Sequence, residues 1–344
     1  MNESVTVSSF ENGLIHQICY HEKLPHLAKK KDHVFITDQN VFSLVEALIP
    51  QERTIILEPG EKKKTLSCVK KIYHKFLQLS VDRSWTAIGL GGGVVGDLTG
   101  FVASTYMRGI NFILIPTTLL SQTDASIGGK NGVDFNGFKN TIGTFAQPKS
   151  VLLDFRFLNT LPQEEILSGA AEIIKHALIA SPALFSNVEK MWHQIMDLDK
   201  KVLNEIVFES IRIKSSIVKK DAKEKNERRK LNFGHTLGHA LEMTQGLSHG
   251  KAVGAGMAFA ARMSAKKGML SKKESTRIIN FLQKTNLNPP LSASCRSLFK
   301  TIKKDKKSEK ENIHFVFLKS IGESEVKQIS FTQLKEDIYD LCKS

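Results

Sequence analysis

Cysteine is scarce. Four occur in 344 residues, Cys19, Cys68, Cys295 and Cys342, far apart and without CxxC spacing. That pattern argues against a disulfide framework and for a reducing, cytoplasmic setting. Long apolar runs are missing as well. No stretch reaches the roughly 18 residues that a membrane helix needs. Met1 to Phe10 has neither the basic start nor the apolar centre of a signal peptide, so none is expected. There is no internal repeat, no low-complexity linker and no HExxH, which disfavours a metalloprotease. Acidic charge is also short, with 35 Asp+Glu against 49 Lys+Arg and a net charge of +14. What is present, 41% hydrophobic and 24% charged residues, is the composition of an ordinary soluble globular protein. The length points to two domains. The excess charge leaves nucleic acid, anionic lipid, an anionic small molecule or solubility alone as explanations.

The excess is unevenly placed. Residues 1–150 carry 16 basic and 13 acidic side chains, and residues 151–344 carry 33 and 22. The run from Arg212 to Lys230 holds nine basic and three acidic residues, and Lys303-Lys304-Asp305-Lys306-Lys307 forms a second cluster. A nucleic-acid surface would add stacking aromatics or a recognisable reading element. The Arg212–Lys230 run contains no Phe, Tyr or Trp, and its apolar residues follow helical spacing. The expected partner is an anionic small molecule, with no nucleic acid and no membrane.

Texture changes near residue 150. Val34–Thr37, Thr54–Leu57, Thr86–Leu90 and Phe112–Ile115 read as buried strands, with helical stretches such as Thr65–Leu79 between them. This alternation predicts βαβ units, and hence a Rossmann-like α/β domain over residues 1–150 with a mostly parallel sheet. No proline occurs between Pro182 and Pro289, and Ile206, Ile211, Ile213 and Ile217 illustrate the helical spacing there. Residues 151–344 are expected to form an all-helical domain, with Ile313–Leu318 able to add one strand. A ligand site is expected between the two.

Three patterns carry candidate chemistry. Gly91-Gly92-Gly93-Val94-Val95-Gly96 contains GxGxxG after a strand and before a helical stretch. Glycines admit a pyrophosphate close to the backbone, and a helix N-terminus offers it free N–H groups. The ribose-binding acid expected about 20 residues later is absent. Asp38 and Glu61, at other strand ends, could hold ribose instead. Alone, the turn serves tight helix–sheet packing almost equally well. A second turn, Ile127-Gly128-Gly129-Lys130, precedes Lys139-Asn140, and its two lysines suit phosphate or carboxylate. Asp124 upstream is either a loop cap or an acceptor for a polyol. Finally, Glu172, Lys175 and His176 share a helix face, as do His235 and His239, with His249 after a short loop. Three N/O ligands and an open position suit a catalytic Zn2+. Spacing does not say which histidines bind, and a metal site and a structural role remain evenly matched.

Several long motifs in order resemble the 3-dehydroquinate synthase family. They are Gly91 to Phe101, Arg108-Gly109, Pro116 to Lys130 and Leu231 to Ala240, joined by Glu172, Lys175 and the Asp305-Lys306-Lys307 cluster. The match runs from about Asp38 to Gly322. The resemblance implies conversion of 3-deoxy-D-arabino-heptulosonate 7-phosphate to 3-dehydroquinate and phosphate, in the shikimate route to aromatic amino acids. The implied steps are transient oxidation by NAD, β-elimination of phosphate, reduction, ring opening and aldol closure, with Zn2+ or Co2+ as metal and a homodimer as the assembly. Carried over by motif, Glu172, His235 and His249 would bind the metal, with His176 a neighbour. Arg108, Asp124, Lys130, Lys175, Lys214, Arg228, Asn232, His239 and Lys306 would hold the substrate. His239 and Glu224 would handle protons, with Lys175 and Asp124 also in the catalytic set. NAD would contact Asp38, Asn40, Glu61, Lys64, Gly92, Gly93, Val94, Asp97, Thr117, Thr118, Lys139, Asn140, Phe157 and Thr160.

Two departures from the family pattern matter. Asp134 stands where the family usually has Asn, and Phe138 where it has the Gly before Lys139, so a differently shaped cofactor loop is expected. The usual His-Gly-Glu-Ala becomes His249-Gly250-Lys251-Ala252, which removes an acid near the metal. Related alternatives are other sugar phosphate cyclases and metal-dependent polyol dehydrogenases. Retention of His239 with the Lys306 cluster resembles the dehydroquinate branch.

Overall fold

The computed structural model describes residues 7–10, 13–17, 20–305 and 311–341. The chain divides into two compact units, Met1–Leu161 and Pro162–Ser344. No described helix is long and apolar enough to cross a membrane.

The first unit holds strands β1 (Val7–Phe10), β2 (Gly13–Gln17), β3 (His33–Asp38), β4 (Thr54–Leu57), β5 (Thr86–Gly91), β6 (Asn111–Pro116), β7 (Lys130–Phe135), β8 (Phe138–Phe145) and β9 (Ser150–Leu153). Its helices are α1 (Tyr20–Ala28), α2 (Gln39–Val45), α3 (Leu66–Gln78) and α4 (Gly93–Thr105). Seven strands make one sheet in the order β1-β2-β9-β6-β5-β3-β4, parallel except at β1–β2. The four apolar runs read from the sequence are β3, β4, β5 and β6. All six residues of β5 are buried, as befits a central parallel strand covered on both faces. Thr65 caps α3 by accepting from the Cys68 amide, and the helix buries Val69, Ile72 and Phe76. Leu24, Phe35, Phe42, Ile88 and Ile115 belong to one core cluster. The parallel strands deliver Asp38, Gly91 and Pro116 to their C-terminal ends, the side on which such sheets bind ligands.

The glycine turn Ile127-Gly128-Gly129, with φ of 107° and 65° at its two glycines, leads into an antiparallel hairpin, β7–β8, that carries Lys130 and Lys139. Asn136 and Gly137 make its two-residue turn with φ of 49° and 80°, the left-handed pair that a hairpin twist favours. Phe138 lies within β8, so its bulk meets no positive φ. The left-handed residue next in the strand is Asn140, at φ 52°.

The second unit contains α5 (Gln163–Ala180), α6 (Pro182–Lys190), α7 (Trp192–Met196), α8 (Lys200–Lys220), α9 (His235–Gln245), α10 (His249–Lys266), α11 (Lys272–Lys284), α12 (Cys295–Asp305), β10 (Asn312–Ser320), β11 (Glu323–Ser330) and α13 (Phe331–Leu341). Helix α5 is buried continuously from Ile166 to Ile179. Helices α9 and α10 meet backbone to backbone: a Cβ on Gly256 would lie 1.8 Å from the Gly234 carbonyl oxygen. The strand expected at Ile313–Leu318 is β10, and a second, β11, pairs with it. This hairpin finishes α5, because the Gly322 amide donates to Leu178 O at 2.8 Å and the Ser324 hydroxyl donates to Ile179 O at 3.1 Å. Cys68, half-buried on α3, is a free thiol.

Candidate cofactor and metal sites

In the first unit, the glycine turn leads from β5 into α4. Gly92 is the N-cap, Gly93 the first helical residue, and Val94 and Asp97 follow in the first turns. The close approach is genuine, since a Cβ on Gly92 would stand 3.2 Å from the Thr118 side chain. Thr117 donates its amide to Gly91 O at 3.0 Å, and the Thr118 and Ser121 hydroxyls bond each other at 2.8 Å. The helix start therefore has free N–H groups behind a glycine surface, an anion cradle.

Beside it, Lys64 organises a charged cluster. Its ammonium lies 2.9 Å from Asp97, 2.6 Å from the Asn140 amide oxygen and 3.3 Å from Glu61. Burial opposes charge on Lys64, but Asp97 and Glu61 outweigh it and raise its pKa. Burial also lifts the Asp97 carboxyl to about 6 against the pull of Lys64. Asp134, flagged only as a departure, completes the cluster by accepting the Asn140 amide at 2.8 Å. Four expected cofactor contacts, Glu61, Lys64, Asp97 and Asn140, thus converge.

Others stand apart or do structural work. Asp38 caps α2, accepting from the Asn40 and Val41 amides, and Asn40 is exposed. Phe157 packs in the core cluster, and Thr160 donates its hydroxyl to Phe157 O at 2.9 Å. Lys130 and Lys139 are exposed on the hairpin, and Asp124 lies in the single π-helical turn Ser121–Ala125. Arg108 is exposed in the left-handed turn Met107-Arg108-Gly109, with φ of 50°, 68° and 122°.

The second unit gathers Glu172 from α5, His235 at the start of α9 and His249 at the start of α10. Their ligand atoms all lie within 4.8 Å of one another. Glu172 Oε1 is 3.0 Å from His249 Nε2 and 3.5 Å from His235 Nε2. Lys175, one turn on, pairs with the other carboxylate oxygen. The remaining imidazole nitrogens face acceptors, His235 Nδ1 towards Phe233 O at 3.2 Å and His249 Nδ1 towards Glu242 Oε1 at 2.8 Å. Burial and the Lys175 charge push His235 down to about 3. Burial opposes charge on His249 too, but hydrogen bonds to Glu172 and Glu242 lift it to about 10. The acids thus hold positive charge where Nε2 meets Glu172, and two imidazoles with one carboxylate form a donor set that fits a divalent cation.

His239 lies beside the trio, its ring centroid 5.3 Å from that of His235. Asn232 donates to Glu224 at 2.8 Å, and Glu224 adopts a left-handed φ of 56°. Arg228 is buried and donates to Ala222 O at 2.7 Å, and Lys214 is buried on α8. His176 is buried against the Ser210 hydroxyl at 2.7 Å. Lys306, with Lys307, lies outside the described residues. Glu242 escaped the sequence reading, although His235, His239 and Glu242 share a face by i, i+4, i+7 spacing.

A parallel α/β unit with a glycine turn at a helix start, followed by a helical unit with a Glu/His/His donor set, gives the fold seen in structures solved with NAD+ and a divalent metal. The chain is similar to a structure of 2-deoxy-scyllo-inosose synthase complexed with carbaglucose-6-phosphate, NAD+ and Co2+, at 24% identity and TM-score 0.86, covering 98% of this chain and 99% of that one. It is likewise similar to 2-epi-5-epi-valiolone synthase from Streptomyces hygroscopicus with NAD+ and Zn2+ bound, at 23% identity and TM-score 0.87, covering 98% and 99%. The chain belongs to the 3-dehydroquinate synthase family. The family's N-terminal model matches residues 54–168 and its C-terminal model residues 169–308. The 3-dehydroquinate synthase of Thermoanaerobacter pseudethanolicus is 41% identical over 334 residues, covering 92% of either chain.

Proposed function

We propose that this chain converts 3-deoxy-D-arabino-heptulosonate 7-phosphate to 3-dehydroquinate and phosphate, as a phosphate-eliminating lyase that works as a homodimer in the cytoplasm. The observation that carries the reading is the convergence of Glu172, His235 and His249 in a chain of this family. The first unit serves as the NAD-binding domain and the second as the metal- and substrate-binding domain.

Glu172, His235 and His249 would hold Zn2+ or Co2+, and such an ion lowers the pKa of substrate hydroxyls and polarises a carbonyl. NAD+ supplies a reversible hydride store. The chain's own residues do the rest. The α4 N-terminus and Gly92-Gly93 cradle the pyrophosphate, while Glu61, Lys64, Asp97 and Asn140 orient the remainder of the cofactor. Asp38, Asn40, Val94, Thr117, Thr118, Lys139, Phe157 and Thr160 complete its surroundings. Arg108, Lys130, Lys175, Lys214, Arg228, Asn232 and Lys306 meet the substrate's carboxylate, phosphate and hydroxyls, with Asp124 accepting from a hydroxyl. His239 and Glu224 exchange protons with the substrate, and Asn232 holds Glu224 in place.

The deciding experiment mixes the purified protein with the heptulosonate phosphate, NAD+ and Zn2+ and identifies the carbon product. Dehydroquinate and phosphate are expected in equal amounts, without accumulating NADH. Chelation should abolish turnover, and Zn2+ or Co2+ should restore it. An inosose- or valiolone-type ring, or steady NADH release, would overturn the proposal.

A further inference from the structure

An imidazole that binds a cation through Nε2 must carry its proton on Nδ1, and whatever accepts that proton fixes the tautomer and the ring plane. At His235 the acceptor position is filled by a backbone carbonyl, Phe233 O, two residues upstream on the same chain segment. At His249 it is filled by a carboxylate from another helix: Glu242, on α9, stands 2.8 Å from Nδ1, while Nε2 faces Glu172 at 3.0 Å. His249 is thus held between two acids, one at each nitrogen.

The residue two positions after His249 does something else. Lys251 turns to Glu164 on α5, at 3.1 and 3.2 Å from its two oxygens, and Glu164 also accepts from the Ser248 hydroxyl. This group ties the start of α10 to α5 through residues that flank His249 without reaching its ring nitrogens. The acid that the family pattern carries at position 251 is therefore absent from this chain, and Lys251 makes its ion pair away from the ligand atoms.

We infer that Glu242 is the positioning residue of the metal centre. It holds His249 in the Nδ1–H tautomer, aims Nε2 at the shared site and adds negative charge that raises metal affinity. Lys251, Glu164 and Ser248 fix the helix entry and leave affinity unaffected. The inference rests on the assignment of Glu172, His235 and His249 as metal ligands.

The test is titration of the metal-free protein with Co2+, read by visible d–d absorption and by competition with a chelating dye. Wild type should bind one Co2+ per chain. Glu242→Ala should weaken the dissociation constant by about 10- to 100-fold, the usual cost of losing such a partner, and alter the d–d spectrum. Glu242→Gln keeps an acceptor without the charge and should fall between, and it carries the test alone if the alanine variant does not fold. Lys251→Glu, which restores the family's acid, should bind Co2+ as wild type does. If wild type binds Co2+ and the Glu242 variants match it in affinity and spectrum, Glu242 has no positioning role and the ligand set stands. Tighter binding by Lys251→Glu would return that role to position 251. If wild type fails to bind, or His249→Ala binds equally well, the ligand assignment itself falls, and the inference with it.

Discussion

At Asp97 two effects oppose each other within a few ångströms. Burial favours the neutral carboxyl, the ammonium of Lys64 at 2.9 Å favours the carboxylate, and Glu61 and Asp134 add like charge against it. Burial wins, so the pKa rises from 3.8 to about 6. Between those values the folded chain keeps a proton that the unfolded chain has released. The contribution of Asp97 to stability is therefore full below about 3.8 and is lost as pH rises through about 6. Asp97→Asn retains an acceptor for Lys64 and cannot titrate. Urea midpoints measured across this window should fall with pH more steeply in wild type than in Asp97→Asn, and parallel curves would refute the account. Asp134 belongs to the same balance. A carboxylate where the family has an amide still accepts the Asn140 amide, at 2.8 Å, and so keeps the Asn140 side chain on Lys64.

Among the elements, the pair α9–α10 decides the metal geometry, because each helix begins with a ligand histidine. Their separation is set by glycine. A Cβ on Gly256 would meet Gly234 O at 1.8 Å and Gly238 N at 3.1 Å, both backbone atoms that have no rotamer to escape into. Gly256→Ala must push the helices apart, and overpacking of this kind costs about 1–3 kcal/mol. It should lower the melting temperature and weaken Co2+ binding together. Gly96→Ala is the control: its Cβ meets nothing within 4 Å at the end of the first turn of α4, and helix propensity favours alanine. Equal melting temperatures for the two variants would refute the argument. These elements also show what the sequence made legible. Strands β3 to β6 announce themselves as buried β-branched runs, and α3 by its Thr65 cap. Hairpin β7–β8 hides because β8 is mostly exposed and polar, leaving Asn136-Gly137 as its one clear signal. Strand β11 hides behind polar alternation. The metal trio was legible as a motif, but the carboxylate behind His249 sits on a helix face whose partner only the α9–α10 packing reveals.

Across the whole molecule, the net charge of +14 separates into two populations. Lys64, Lys175, Lys214 and Arg228 are buried and act at short range. Lys219, Lys220, Lys223 and Lys225 are exposed, and the intervening Asp221 turns inward to accept the amides of Lys225, Asn226 and Arg228. Exposed charge of one sign acts through its field, which attracts an anion carrying carboxylate and phosphate before any contact forms. That field is screened over about 10 Å at 0.1 M salt and about 3 Å at 1 M, whereas buried pairs are screened much less. Raising the salt should therefore lower kcat/KM through KM and leave kcat nearly unchanged. Replacing the four exposed lysines together by glutamine should reduce kcat/KM a few-fold at low salt and flatten its salt dependence, with kcat at saturating substrate intact. If kcat/KM of wild type is indifferent to salt, or the quadruple variant keeps the wild-type slope, the surplus charge on this face plays no part in capturing the substrate.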